Sequence, residues 1–135
     1  MIKKFVDTNI FLRYLTKDDG SKFDKCRELF KKAVDGRIAL ATSGIVIAEL
    51  IWTLLSYYKL SKADVIEKIS IIVATESLHI PDKDIIADAI VLYSRKNIDY
   101  IDAYNAEFVK YYDYSEIYSY DKDFDAIEGI KRIEP

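Results

Sequence analysis

Ile38-Ala39-Leu40-Ala41-Thr42-Ser43-Gly44-Ile45-Val46-Ile47-Ala48-Glu49-Leu50-Ile51-Trp52 is the stretch on which the fold turns. Residues 38–58 carry a single charge, Glu49, and are long enough to cross a bilayer as one helix. Two features argue for a buried strand followed by a buried helix instead. Thr42-Ser43-Gly44 breaks the run with turn and cap chemistry. An acid at the centre of a spanning helix also costs roughly 2.5–3.5 kcal/mol on insertion scales. The expected elements are a strand over 38–41 and a helix opened by Ser43 that carries Glu49 to residue 57.

The same alternation extends in both directions. Residues 2–6 read as a short strand ending at Asp7-Thr8-Asn9, and Ile10, Phe11, Tyr14 and Leu15 have helical spacing just after it. Ser21 is the expected N-cap of a helix whose stripe is Phe23, Cys26, Leu29, Phe30, Ala33 and Val34, stopped near Gly36. Downstream, Ser61 opens a helix with Val65, Ile69, Ile72 and Val73 inward, and 77–80 is a brief strand before Pro81. Residues 82–94 are helical with Ile85, Ile86, Ala89, Ile90 and Tyr93 inward. A further helix over 101–112 is expected to place Ile101, Tyr104, Phe108 and Tyr112 on one side. Residues 116–120 form a strand running into Asp121-Lys122-Asp123-Phe124-Asp125, and 130–133 a last edge strand. Short strands alternating with helices imply a mainly parallel sheet covered on both faces, a three-layer α/β/α arrangement. In such sheets the active site lies beyond the carboxyl ends of the strands, where Asp7 and Asp121 both fall.

The chain has 135 residues, 50% hydrophobic and 32% charged, which is enough for one domain, 1–135, with a real core. Gly and Pro are scarce, and there is no linker, low-complexity segment or repeat. The net charge of −3 is the wrong sign for a nucleic-acid protein overall. Two features counter it: acids that hold a metal reverse their local charge, and Lys3, Lys4, Lys17, Lys22, Lys25, Arg27, Lys31 and Lys32 all fall in the first quarter. One cysteine excludes an intrachain disulfide and fits a reducing compartment. Asp7 interrupts any apolar signal-peptide core, so a cytoplasmic protein without a membrane segment is expected.

Four acids stand out. Glu49 is the one charge between Arg37 and Lys59, in a helix apolar nearly all round. A carboxylate there is expensive unless paired, protonated or metal-bound, so Glu49 is expected to be buried and functional; a buried ion pair with a distant Lys or Arg, or a solvent-facing sliver of the helix, is the plain alternative. Asp7 ends a strand before a helix and taken alone reads as an N-cap. Asn9 is then either a turn residue or a donor that orients a carboxylate. Asp102 stands in a first helical turn, with Asp99 a competing cap, where the helix dipole favours an ionised carboxylate. Asp121 follows a strand, and Asp123 and Asp125 compete for its role. Together, Asp7, Glu49, Asp102 and Asp121 make a hard-oxygen set without His or Cys, suited to Mg²⁺ or Mn²⁺ rather than zinc.

Phe5-Val6-Asp7-Thr8-Asn9-Ile10, Ser43-Gly44-Ile45-Val46-Ile47-Ala48-Glu49-Leu50, Ile101-Asp102-Ala103 through Ala106, and Tyr118-Ser119-Tyr120-Asp121-Lys122-Asp123-Phe124-Asp125 occur in that order. On these pieces the chain resembles the PIN-domain nucleases, and among them the VapC-type toxins of prokaryotic toxin–antitoxin pairs. The resemblance implies a three-layer α/β/α fold, Mg²⁺- or Mn²⁺-dependent endoribonuclease activity, a homodimer and a cognate antitoxin. It carries the metal-binding acids onto Asp7, Glu49, Asp102 and Asp121. Asn9 matches the polar residue two places after the first acid, and Ser119 a small hydroxyl residue before the fourth. Eleven tyrosines also exceed what so small a domain readily buries, in keeping with a dimer.

Other functions fit less well. A haloacid-dehalogenase-type phosphatase needs an acid where Asn9 stands, and a response-regulator receiver needs paired acids that the N-terminus lacks. A PIN-like domain that binds RNA or protein without cutting would have no use for a charged Glu49. An RNA-processing nuclease without a toxin role has the same residues.

Overall fold

Short polar side chains decide where the first four helices begin. Asp7, Asp19, Ser43 and Ser61 each accept a hydrogen bond from a first-turn backbone N–H, those of Thr8, Lys22, Val46 and Asp64. The helices they open are α1 (Thr8–Thr16), α2 (Gly20–Val34), α3 (Gly44–Ser56) and α4 (Lys62–Val73). Asp19, and not the expected Ser21, caps α2, because its carboxylate reaches the Lys22 N–H at 3.0 Å. The computed structural model describes residues 3–135, so Ile2 of the expected first strand lies outside the described residues.

The chain divides into two compact units, Met1–Lys83 and Asp84–Pro135. In the first, β1 (Lys3–Phe5), β2 (Ala39–Ala41) and β3 (Leu78–His79) form a parallel sheet in the order β1-β2-β3. Lys4 is level with Leu40, and Leu40 with Leu78. The pairs α1–α2 and α3–α4 fill the two crossovers that parallel strands require. Leu40 and Leu78 are buried, as are Val46, Ile47, Leu50, Ile51 and Leu54 on α3 and Val65, Ile69, Ile72 and Val73 on α4. Cys26 is buried on α2 as a packing residue, and burial pushes its thiol pKa up. No helix among the described residues is long and apolar enough to cross a membrane, which settles the reading of 38–58 as strand and helix.

The second unit holds α5 (Lys83–Arg95, with Lys83 at the boundary), α6 (Tyr100–Tyr111), β4 (Ile117–Tyr118), a 3₁₀ helix over Lys122–Ala126 and β5 (Arg132–Ile133). β4 and β5 pair in parallel. On α5 the inward residues are those expected, Ile85, Ile86, Ala89, Ile90 and Tyr93. On α6 they differ. Asp99 takes the cap position, the helix starts at Tyr100, and Tyr100, Ala103 and Ala106 are buried while Ile101 is 53% exposed. Tyr100, Tyr104, Phe108 and Tyr112 instead form a ring-to-ring row along one side, with centroids 6.5, 6.1 and 4.6 Å apart. Parallel strands linked through helices give the α/β class read from the sequence.

Candidate metal centre

In the first unit the carboxyl ends of the strands are tied together before any acid appears. Val6 N–H donates to the Ala41 carbonyl at 2.8 Å, Thr42 N–H to that of His79 at 2.9 Å, and the buried Thr42 hydroxyl to the Val6 carbonyl at 2.8 Å. This fixes the backbone on which Asp7 is exposed at the mouth of β1. Thr8 follows, itself buried. Its N–H donates to Asp7 Oδ1 at 2.8 Å, and its hydroxyl donates to Glu49 Oε1. Thr8 therefore serves both acids, although Glu49 lies 41 residues further along the chain. Asn9 is exposed on the first turn of α1.

Glu49 is not buried. It is exposed on α3, on the same strip as Ile45 and Trp52, which are 82% and 68% exposed. The expectation of a desolvated carboxylate is corrected by this geometry. Those apolar neighbours lie at the surface, so an apolar sequence around Glu49 did not mean an apolar environment. What remains distinctive about Glu49 is its bond from Thr8.

In the second unit, Asp102, Asp121 and Asp123 each offer a carboxylate oxygen within 4.8 Å of the others. Asp102 is half-buried in the first turn of α6. Asp121 caps the 3₁₀ helix, its Oδ1 accepting from Asp123 N–H at 2.9 Å. Ser119 Oγ accepts from Asp121 N–H at 3.0 Å, so the hydroxyl fixes the backbone that carries the acid. Buried Phe124 anchors the same short helix. Asp125 is diverted: Arg132 donates to it from Nε at 2.9 Å and from Nη2 at 3.3 Å, holding its carboxyl below the ordinary value. Of the two extra acids, Asp123 joins Asp102 and Asp121, and Asp125 does not.

Three carboxylates at this spacing repel one another. Burial, with the hydrogen bond and charge of Asp121 and the charges of Asp99 and Asp123, pushes the Asp102 carboxyl up to about 6 from an ordinary 3.8. A bound cation reverses that balance, and an all-oxygen set suits a hard divalent ion. The donor chemistry and the repulsion both fit such an ion.

A family model described as PIN domain matches residues 4–130. The chain belongs to the PIN-domain family. It is also 26% identical over 132 residues to a VapC ribonuclease of Aquifex aeolicus (strain VF5), covering 98% of this chain and 96% of that protein.

Two residues of this PIN domain escaped the reading of its sequence as contributors to the acid framework. Thr8 fits equally well as an ordinary helix-start residue, and only its long-range bond to Glu49 distinguishes it. Arg132 lies in the edge strand, yet its guanidinium also donates to the Ser119 carbonyl at 2.9 Å and pairs with Glu134 at 3.4 Å. It thus clamps both ends of the segment that carries Asp121 and Asp123. Its signal in the sequence is weak: a cation following a run of acids.

Proposed function

We propose that this PIN domain is a metal-dependent endoribonuclease and the toxin of a toxin–antitoxin pair, acting in the cytoplasm as a homodimer on RNA. Residues 1–135 serve as one nuclease domain, a reading supported by the span of the family match across both units. Asp7, Glu49, Asp102 and Asp121 act together to bind Mg²⁺ or Mn²⁺, with Asp123 as an additional acid. The observation that carries this reading is the Asp102–Asp121–Asp123 cluster with its raised Asp102 carboxyl, in a chain of the PIN family. The name of the Aquifex relative supports the ribonuclease and toxin assignment.

A divalent ion held by these acids would supply Lewis-acid chemistry for activating a water and offsetting charge on the scissile phosphate. The chain's own residues prepare for that. Thr8 orients Glu49 through its hydroxyl and Asp7 through its N–H. Ser119 Oγ and the Asp123 N–H fix Asp121. Asn9 offers an exposed amide two residues after Asp7 to orient the first acid or the substrate.

Incubation of the purified protein with total RNA, with mapping of the new ends, tests the activity. Cleavage is expected with Mg²⁺ or Mn²⁺, is lost in EDTA and returns on adding excess Mn²⁺. Cleavage that persists in excess EDTA rejects the metal mechanism. Light scattering at micromolar protein should give twice the monomer mass. Growth arrest on expression, absent in Asp7→Asn and relieved by the cognate antitoxin, separates a toxin from an RNA-processing enzyme.

A further inference from the structure

The strand that leads to Asp121 holds two tyrosine rings out to solvent. Tyr118 closes β4 and Tyr120 stands two residues on, each 71% exposed. Ser119 N–H donates to the Ile133 carbonyl at 3.1 Å, so the strand path continues past Tyr118. Alternate residues of an extended chain point to opposite faces. The burial follows that rule, with Ile117 and Ser119 half-buried and Tyr118 and Tyr120 open. Both rings are therefore open to solvent on this segment, and Tyr120, where the chain bends, directly precedes an acid of the cluster. Tyr111, Tyr112 and Tyr114 pack on neighbouring rings. Tyr118 and Tyr120 have no ring partner among the described residues.

Among the charges nearby, Lys122, exposed directly after Asp121, is open to an RNA phosphate. Lys131 is paired with Glu116 at 3.0 Å, and Arg132 with Asp125 at 2.9 Å. The whole chain carries −3. Attraction that does not depend on cations is available from the base faces, which stack on exposed aromatic rings in single-stranded RNA and are hidden in a duplex.

We propose that Tyr118 and Tyr120 form a stacking platform that seats bases of single-stranded RNA beside Asp121. The platform rests on the nuclease reading above and adds to it the two side chains that position the substrate.

The test is fluorescence anisotropy with a labelled single-stranded oligoribonucleotide and the matching duplex, in EDTA so that no bond is cut. Both side chains are exposed, so Tyr118→Ala and Tyr120→Ala should fold normally. Each should bind the single strand roughly five- to a hundredfold more weakly. Tyr→Phe at either position should stay within about twofold of wild type, whereas Tyr→Leu, which keeps apolar area without a π-face, should lose affinity. The duplex should bind poorly and respond to none of these changes. In the cleavage assay the alanine variants should raise KM and leave kcat and Mn²⁺ affinity in place. A double alanine variant that binds and cuts single-stranded RNA like wild type overturns the platform and leaves the nuclease reading standing. A wild-type protein that neither binds nor cuts RNA overturns both. A double variant with normal RNA binding but a smaller assembly assigns the rings to a protein contact and also overturns the platform.

Discussion

Asp102→Asn should make the metal-free protein more stable while destroying its use of metal. The side chain keeps its shape and loses its charge. In the wild type the Asp102 carboxyl titrates near 6 instead of 3.8, because it is half-buried and faces Asp121 and Asp123. At 1.36 kcal/mol per pKa unit, that displacement sets a ceiling of about 3 kcal/mol on the penalty of the charged form. Asp121 and Asp123 are exposed, so solvent screening reduces the realised figure to about 1–2 kcal/mol. The helix dipole favours a charge in the first turn of α6 by only about 0.3–1 kcal/mol, so the net sign remains a gain for asparagine. The folded pKa lies above the unfolded one, so the folded protein holds an extra proton between about pH 4 and 6. The penalty is fully present above about pH 6 and is relieved as pH falls toward 4. Urea unfolding of both proteins in EDTA should therefore show the variant ahead by about 1–2 kcal/mol at pH 8 and level near pH 4. Saturating Mn²⁺ should stabilise the wild type and leave the variant unmoved. A variant that is less stable than wild type at pH 8 in EDTA, or a gap that does not close on acidification, refutes the repulsion argument.

The other substitutions separate framework from chemistry. Thr8→Val removes the hydroxyl that orients exposed Glu49, so cleavage should fall about 10- to 100-fold with a nearly unchanged melting temperature; wild-type turnover would show that Thr8 does not position Glu49. Glu49→Gln should alter apo stability by less than about 0.5 kcal/mol, as expected of a surface position, and abolish cleavage; a loss of several kcal/mol would mean that Glu49 belongs to a structural ion pair. Arg132→Met releases the Ser119 carbonyl and Asp125 together and should lower the urea midpoint and weaken Mn²⁺ binding, whereas equal Mn²⁺ affinity in a folded variant would remove Arg132 from the support of the acids.

The alternation of strands and helices was legible because local patterns set it: helical spacing on α5, the caps Ser43 and Ser61, and the turn that divides 38–58. The environment of Glu49 was not. Hydrophobic residues favour the interior but do not guarantee it, and Ile45 and Trp52 lie at the surface beside the acid. On α6 the expected one-sided set largely holds: Tyr104, Phe108 and Tyr112 stack in a row, with Tyr100 in place of the exposed Ile101, while the small Ala103 and Ala106 are buried. Among the last acids, spacing alone left Asp121, Asp123 and Asp125 equivalent. They are told apart by the local capping bond at Asp121 and by Arg132, which claims Asp125 from a separate strand, a contact that no local pattern encodes.

The central proposal is that Asp7 and Asp121 are both required for binding of the catalytic metal, and Mn²⁺ binding followed by electron paramagnetic resonance tests it most directly. Wild type, Asp7→Asn and Asp121→Asn are titrated under identical conditions, each checked for folding by circular dichroism. The account predicts that either substitution weakens the same high-affinity Mn²⁺ signal and that RNA cleavage falls in parallel. Wild-type Mn²⁺ affinity and cleavage in a folded Asp7→Asn protein, with loss confined to Asp121→Asn, would contradict it.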